Sequence, residues 1–205
     1  MNKHLIALAS TLLITGTSTA FAASTVDLTV KGIITPNACT PSLSSGGVID
    51  HGKMSAKDLN TDKITVLPAH SLQMAVSCDA AVLFALKGTD NRLGSGTGSY
   101  FGLGMINGTQ KLGGYTLSLA TPVADDEPVQ VIGSFNNGTS WESWNSFETG
   151  VLLSVGTLAD DSAPRPTQDL VAEVRYSGYI NPTDGLDLSN EVDIDGSATL
   201  EVMYL

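Results

Sequence analysis

The stretch VDLTVKGIITPNAC, residues 26–39, has the pattern of a half-buried β-strand and ends at the first cysteine of the chain. Every second side chain of a strand points to the same face of the sheet. The side chains that share the apolar face here belong to Val26, Leu28, Val30, Gly32 and Ile34. The residues between them are mostly polar, so the second face tolerates water while the first is buried.

The same alternation occurs near the other end of the chain. Residues 194–204 carry mostly apolar residues at even positions and mostly polar ones at odd positions, and the last three even positions are Leu200, Val202 and Tyr204. Alternation alone favours an ordinary sandwich that uses both strands internally. The alternative is a protein that exchanges strands with its neighbours, and the resemblance described below favours it.

Residues 1–22 have the features of a secretion signal. Lys3 supplies the positive start, residues 5–14 form an apolar run, and Ala20-Phe21-Ala22 gives a small-residue cleavage pattern. A helix needs about 20 apolar residues to cross a bilayer, so we expect no transmembrane segment once the signal is removed. The sequence therefore predicts an exported, soluble protein.

The chain is acidic, with a formal net charge of −11. A polyanion would be repelled, and no cluster of Lys and Arg large enough to neutralise phosphates is present in the sequence. Nucleic acid is therefore excluded as an expected partner, and solubility is the simplest reason for the acidity.

The two cysteines, Cys39 and Cys78, predict one disulfide, because an even number of cysteines in an exported chain indicates a bridge. Closing a loop of about 40 residues is worth roughly 4 kcal/mol in the loop-entropy model. The alternatives are two free thiols or a metal pair, and a metal pair needs more ligands than the sequence offers.

Alternation and turn residues recur along the chain, and no segment has a sustained helical period. Residues 72–78 and 82–86 read as neighbouring strands with a tight connection at Asp79-Ala80. Further strands are predicted at 101–106, 115–119, 152–158 and 170–180, with turns at Asn107-Gly108 and Asn137-Gly138. This spacing predicts an all-β sandwich of roughly seven to nine strands without a visible domain boundary.

Four short motifs resemble the fimbrial subunits, or pilins, of the chaperone-usher pathway of Gram-negative bacteria. They are the 26–39 stretch with Gly32 seven residues before Cys39, SLQMAVSC at 71–78, FGLGM at 101–105, and ATLEVMYL at 198–205 with Tyr204 in the penultimate place. Residues 124–149 look like an insertion relative to a typical pilin. The chain is also similar to pilin-like periplasmic proteins of the GltF type, whose members need not all form fibres.

The resemblance implies an immunoglobulin-like sandwich that lacks its final strand and is completed by donor-strand exchange. Residues 23–38 would be the donor extension, with Val26, Leu28, Val30, Gly32 and Ile34 as its groove-filling positions, and residues 39–205 would form the sandwich. A periplasmic chaperone would pair with the strand that bears Leu200, Val202 and Tyr204. The outer-membrane usher and other fimbrial subunits would be further partners, and cell adhesion at the bacterial surface the role.

We expect no enzyme activity, no cofactor and no metal. The sequence has no Gly-x-Ser-x-Gly elbow, and the two histidines after the signal, His51 and His70, read as surface residues. The acidic groups at 125–127 and 160–161 lack the spacing of a calcium loop and read as solvated turns.

Trp141, Trp144 and Phe147 form an aromatic-rich patch within SWESWNSF. Exposed aromatic side chains can stack on sugars or anchor a partner, so this patch is a possible surface contact. Packing of the three rings under a loop is the alternative. A contact here would suit the competing function, a self-contained monomeric binding protein of the periplasm or cell surface.

Overall fold

The computed structural model describes residue 29 and residues 38–205. This part of the chain contains fifteen β-strands, three short 3-10 helices and no α-helix. The strands are β1 (Cys39–Leu43), β2 (Thr65–Val66), β3 (His70–Val82), β4 (Phe84–Asp90), β5 (Phe101–Gly102), β6 (Met105–Ile106), β7 (Gln110–Lys111), β8 (Gly113–Ala124), β9 (Glu127–Pro128), β10 (Gln130–Ser134), β11 (Glu142–Ser143), β12 (Ser146–Phe147), β13 (Leu152–Gly156), β14 (Thr167–Ile180) and β15 (Ala198–Tyr204). The 3-10 helices are Ser44–Gly47, Ala56–Asp58 and Thr183–Gly185.

Two antiparallel sheets carry almost all of these strands. The first sheet has the order β1-β3-β14-β8-β12, with β2 added to β14 and with β5 and β9 added to β8. The second sheet has the order β11-β10-β13-β4-β15, and β6 and β7 form a separate hairpin. The all-β prediction is confirmed, but the described chain has fifteen strands instead of the predicted seven to nine, and eight of them have five or more residues.

A single core forms where the two sheets face each other, which gives a sandwich-like arrangement. From the first sheet, β3 contributes Leu72, Met74, Val76 and Cys78 at alternate positions, as the sequence predicts. The second sheet contributes buried residues such as Leu86 and Leu153, which form one cluster with Met74, Val76 and Cys78. The period-two pattern therefore marks the buried face of this strand correctly.

The predicted pairing of residues 72–78 with 82–86 is wrong. β3 continues through Asp79-Ala80 to Val82, where it pairs with β14, and β4 begins two residues later in the other sheet. Leu83 is the residue at which the chain changes sheet, and its carbonyl oxygen accepts a hydrogen bond from the Leu205 amide. Alternation specifies a face but not a partner, so the two strands looked like a hairpin.

Both predicted Asn-Gly turns are present. Asn107 and Gly108 have φ of 50° and 80° in the loop that joins β6 to β7, and Asn137 and Gly138 have φ of 56° and 85°. Positive φ is favourable for Asn and Gly and strained for most other residues.

Residues 124–149 close one side of the sandwich. β10 and β11 of this stretch pair with each other in the second sheet, whereas β12 pairs with β8 in the first sheet. Residues 144 and 145 thus cross from one sheet to the other. On the opposite side, β1 and β15 are the last strands of their sheets, and the described chain has no such crossover between them.

The Cys39–Cys78 disulfide is present, as predicted. Cys39 and Cys78 lie directly opposite each other in the β1–β3 register, with a Cα–Cα distance of 3.9 Å. The bond ties the edge strand β1 to the interior of the first sheet.

Candidate functional site

The side of the sandwich between β1 and β15 is incompletely covered. Apolar side chains that touch the core yet remain partly exposed gather there, from β1, from residues 48–59, from residues 186–194 and from β15. They are Cys39, Leu43, Ile49, Leu59, Leu186, Leu188, Val192, Ile194, Ala198, Leu200 and Val202. We call the depression beside these side chains the edge groove. The residues of this set that line it are Leu43, Ile49, Leu59, Leu188, Val192, Ile194, Ala198 and Leu200.

One wall of the edge groove is β15. Its seven residues pair with β4 from Ala198–Asp90 to Tyr204–Phe84, and no other strand of the described residues pairs with its second edge. The side chains of Ala198, Leu200 and Val202 alternate with exposed Thr199 and Glu201. This strand therefore offers an unpaired row of backbone groups beside a row of half-buried aliphatic side chains.

Polar contacts hold both ends of β15. Before the strand begins, the Arg92 guanidinium donates to the two carboxylate oxygens of Asp195 at 2.6 and 2.8 Å. Near its end, the Tyr204 hydroxyl accepts a hydrogen bond of 2.8 Å from the Cys39 amide. The groove is thus joined across at the Tyr204 end, and just before Ala198 the Asp195 amide donates to the Leu103 carbonyl at 3.1 Å.

The groove consists of two adjoining cavities. The smaller, about 240 Å³, has Leu103, Tyr115, Leu117 and Tyr176 among its lining residues and Leu200 on its wall. The larger, about 560 Å³, lies between residues 49–59 and 188–194 and reaches Leu112 and Ile180 of the core. Ile49, His51 and Ile194 line both, so the two cavities are neighbours.

Charged side chains occupy the rim of the larger cavity. Asp50, Glu191 and Asp193 make it acidic, and the Lys53 ammonium lies 3.3 Å from the Glu191 carboxylate across the mouth. Both partners of this ion pair are almost fully exposed, so the pair contributes little to closing the groove.

His51 and His70 are not simple surface residues, which corrects the expectation from the sequence. Both are half-buried, with ring centroids 5.1 Å apart and edge-to-face geometry. The His51 ring also lies 5.3 Å from the Tyr176 ring, and its Nε2 is 3.1 Å from the Tyr176 hydroxyl. The sequence could not indicate this cluster because Tyr176 comes from β14, far along the chain.

The environment of this cluster changes the acidity of its members. Burial, followed by the charge of His70, lowers the pKa of His51 below its ordinary value of 6.5, and Asp50 opposes the shift. Burial raises the pKa of Tyr176 to about 12. Tyr176 therefore keeps its hydroxyl proton, and His51 is mostly neutral at neutral pH.

The predicted donor positions Val26, Leu28, Val30, Gly32 and Ile34 lie outside the described residues. The predicted chaperone-binding positions all lie on β15. Leu200 and Val202 are half-buried along the edge groove, whereas Tyr204 is 43% exposed and bonds to β1 through its hydroxyl.

The aromatic patch is split between surface and core. Phe147 is only 1% exposed and pairs with Leu117, so its proposed surface contact is wrong. Phe147 packs against Gly88, which has no Cβ. A Cβ at Gly88 would lie only 3.1 Å from the Phe147 Cβ, so the glycine leaves room for the ring in the core. Trp144, 36% exposed, packs edge-to-face against Phe135, and Trp141 is half-buried with its indole N–H donating to the Gly138 carbonyl.

The acidic residues 125–127, for which the sequence predicts a solvated turn, begin with two residues of positive φ. Asp125 and Asp126 have φ of 51° and 64°, and Asp125 accepts hydrogen bonds from the Gln168 and Asp169 amides. Among the residues with described positions, no group of three His, Cys, Asp or Glu side chains is placed to hold a metal ion. Within the same residues, no helix has the length and apolar character to cross a membrane.

Sequence reasoning missed Leu186, Leu188 and Val192, which pack against the core from a segment that contains no strand. Ile194 belongs to the same segment, but it was identified as the first apolar position of the C-terminal alternation. The available signal was the spacing of these residues, since 186 and 188, and 192 and 194, are each two positions apart. It is too short and too interrupted by polar residues to be read as a strand.

The groove has the chemistry of a site for an extended chain segment. An unpaired strand edge supplies main-chain hydrogen bonds, and adjacent apolar pockets take alternate side chains. Two neighbouring cavities with apolar lining residues suit the alternate side chains of a strand better than one compact ligand.

Comparison with known proteins finds one matching family model and relatives in Escherichia coli. A family model described as "Protein of unknown function (DUF1120)" matches residues 28–100, which include β1, β3 and β4. The Escherichia coli K12 protein named "Uncharacterized protein YhcF" is 25% identical over an alignment 235 positions long, which covers 95% of this chain and 98% of YhcF. "Protein GltF" of the same strain is 23% identical over an alignment 223 positions long, which covers 87% of this chain and 88% of GltF. These matches relate the chain to GltF-like proteins.

Proposed function

We propose that this protein is an exported, pilin-like subunit whose edge groove accepts a strand from another molecule. The observation that carries the proposal is β15, with an unpaired edge beside the half-buried side chains of Ala198, Leu200 and Val202. The order of the long strands in the two sheets is compatible with an immunoglobulin-like sandwich that lacks one edge strand. The missing strand would lie between β15 and β1.

The donor in this proposal is the 26–34 segment of a second copy. Burying a branched aliphatic side chain is worth about 1.5–3 kcal/mol, so Val26, Leu28, Val30 and Ile34 together would contribute roughly 6–12 kcal/mol. Ordering nine residues costs on the order of 9–18 kcal/mol in backbone entropy. The two ranges overlap only at the top of the first and the bottom of the second, so main-chain hydrogen bonds to the β15 edge would supply the rest of the binding free energy in most of that range.

The same groove would be occupied before assembly by a periplasmic chaperone that pairs with β15. The outer-membrane usher would then pass the subunit to other fimbrial subunits at the cell surface, where the fibre would serve cell adhesion. Residues 1–22 would direct export and be removed.

The test is a pair of substitutions on opposite faces of the donor segment, made in cells that produce the protein. Leu28→Asp places a charge among the groove-filling side chains, and we expect a subunit that stays soluble with its chaperone but does not add to a fibre in electron micrographs. Thr29→Asp is the matched control, because it adds the same charge to the face that remains in water.

Fibres of normal length in Leu28→Asp cells would contradict the proposal. Loss of fibres in both variants would also contradict it, because the effect would then not depend on which face carries the charge.

A second candidate function is a self-contained monomeric binding protein of the periplasm or cell surface. The observation in its favour is the exposed pair of Phe135, 52% exposed, and Trp144, whose rings are 5.3 Å apart. A chain that purifies alone as a monomer, and that loses ligand binding in Trp144→Ala but not in Leu28→Asp, would favour this function.

A further inference from the structure

The larger cavity of the edge groove has a feature that strand binding does not explain. Its lining residues belong to the segments 49–59 and 188–194 and to Leu112 and Ile180, and none of them lies on β15. Ala198 and Leu200 of β15 line only the smaller cavity. The pairing edge of β15 therefore does not border the larger cavity, and the acidic mouth of that cavity has no role in taking up apolar side chains.

The interior of the larger cavity is apolar. Leu112 and Ile180, which are 2% and 1% exposed, belong to the hydrophobic core. Leu59, Leu188 and Val192 line the cavity and are only half-buried, so part of their surface still contacts water. Pockets for small molecules have volumes of about 300–1,000 Å³ and mostly apolar linings. With about 560 Å³, this cavity alone has room for the apolar body of one compact ligand.

The mouth of the larger cavity carries an excess of negative charge. Asp50, Glu191 and Asp193 are exposed lining residues. Lys53 pairs with Glu191, whereas Asp50 and Asp193 have no cationic partner among the described residues. His51 lines the same cavity but does not offset this charge at neutral pH, because burial lowers its pKa.

An apolar interior below a negative mouth selects a ligand with a positive end. A carboxylate or phosphate would be repelled by Asp50 and Asp193. A neutral alcohol would gain only the transfer of its chain out of water. An ammonium on an aliphatic chain gains this transfer and can also donate hydrogen bonds to the carboxylates. A metal ion fits less well, since no group of three His, Cys, Asp or Glu side chains in the described chain is placed to hold one.

We propose that the larger cavity is a binding site for a small amphipathic amine, in which a short aliphatic chain carries a primary ammonium. The chain lies against Leu112, Ile180 and Leu188, and the ammonium lies near the carboxylates of Asp50 and Asp193. This site needs neither the β15 edge nor a second copy, so the inference goes beyond the proposed function and does not rest on it.

Lys53 competes with the ligand for the acidic mouth. Its ammonium lies 3.3 Å from the Glu191 carboxylate, and it is the same chemical group as the positive end of the ligand. The side chains of Lys53 and Glu191 are 90% and 81% exposed, so their ion pair is weak. Removal of Lys53 should therefore strengthen the binding of an amine.

The experiment is a titration of the isotope-labelled full chain with hexylammonium, followed through the amide chemical shifts in NMR spectra. Hexanol and hexanoate are the matched ligands, because they carry the same chain with a neutral or a negative end. We expect saturable binding of hexylammonium that is about tenfold tighter than that of hexanoate, with hexanol in between. The largest shifts should occur in the segments 49–59 and 188–194, and added salt should weaken the binding of hexylammonium but not that of hexanol.

Three substitutions test the role of charge. Asp193→Asn keeps the shape of the side chain and should weaken hexylammonium binding several-fold without changing hexanol binding. Lys53→Gln should strengthen hexylammonium binding several-fold, a gain that damage to the fold would not produce. Asp161→Asn is the matched control, since it removes an exposed carboxylate that lines neither cavity, and it should bind like the wild type.

Four results would overturn the proposal. They are the lack of saturable hexylammonium binding, equal affinities for hexylammonium and hexanoate, equal effects of Asp193→Asn and Asp161→Asn, and largest shifts at Leu117 and Leu200 of the smaller cavity. The fibre test with Leu28→Asp is independent of all four, because the strand-accepting edge is β15.

Discussion

At the scale of single residues, the missing Cβ of glycine lets aromatic side chains pack against the backbone. A Cβ at Gly88 would lie 3.1 Å from the Phe147 Cβ, and one at Gly133 would lie 2.7 Å from the Trp144 Cβ. Phe147 thereby fills the core, and Trp144 lies on the backbone of β10. These two contacts hold the stretch that closes one side of the sandwich.

Gly133→Ala should destabilise the protein by about 1–3 kcal/mol, because the added methyl overlaps the Trp144 side chain. The clashing atom is the Trp144 Cβ, which cannot move without the backbone. Equilibrium denaturation by urea measures the loss, and a change in tryptophan emission should report the displaced indole.

Gly185→Ala is the control for that substitution, since a Cβ at Gly185 meets no atom within 4 Å. It should change the free energy of unfolding by no more than about 0.5 kcal/mol. Equal stabilities for the two variants would mean that Trp144 does not pack on Gly133.

At the scale of elements, the edge strand β1 depends on one covalent link. β1 pairs only with β3 in the described chain, and Cys39 and Cys78 face each other in that pairing. The Cys39 amide also donates to the Tyr204 hydroxyl, so the link reaches the end of β15. The disulfide therefore positions one border of the edge groove.

Replacing both cysteines, Cys39→Ser with Cys78→Ser, should lower the free energy of unfolding by about 4 kcal/mol, the loop-entropy value for a separation of 39 residues. Either single substitution breaks the same bond, so we expect each to cost about as much as the pair. Urea denaturation of the three variants checks this. A double variant as stable as the wild type would mean that β1 is held without the bond.

At the scale of the whole molecule, the fold leaves a depression of partly exposed apolar side chains along one side. Leu43, Leu200 and Val202 belong to this set, as do Leu188 and Ile194 from the opposite wall. Because these apolar side chains remain partly in contact with water, they contribute less to the stability of the fold than fully buried side chains would. A segment that covers it should raise the stability of the entire chain.

A peptide with the sequence of residues 23–38 should therefore raise the melting temperature of the full chain. At a free concentration 100 times its Kd, it adds about 2.7 kcal/mol to the free energy of unfolding. For a domain of this size, that corresponds to a rise of roughly 5–10 °C. Differential scanning fluorimetry measures the shift. The same peptide with Leu28→Asp should give a much smaller one, and equal shifts from both peptides would argue against insertion into the groove.

The sequence predicts which face of a strand is buried better than it predicts where the strand lies. Alternation identified β3 and the inward side of β15 because the period of a strand is local. It failed for β3 and β4, because the change of sheet at Leu83 is decided by contacts with β14 and β15. The two-residue strands, such as β11 and β12, are too short for any period.

The edge groove could be predicted only in part. Leu200 and Val202 followed from alternation, but the burial of His51 depends on Tyr176, which is 125 residues away. The position of Phe147 depends on Gly88 in another sheet. Contacts of this kind arise from the packing of distant segments and leave no local pattern.

Under the proposed function, the crossover at residues 144–145 also limits the number of other copies that one molecule can bind. Since this crossover closes one side of the sandwich, an incoming strand would, under the proposed function, enter only at the other side. A copy with one recipient slot and one spare strand can link to two others at most. Under the proposed function, such copies would grow into an unbranched and directional chain whose two tips differ, and a partner without a spare strand would terminate it.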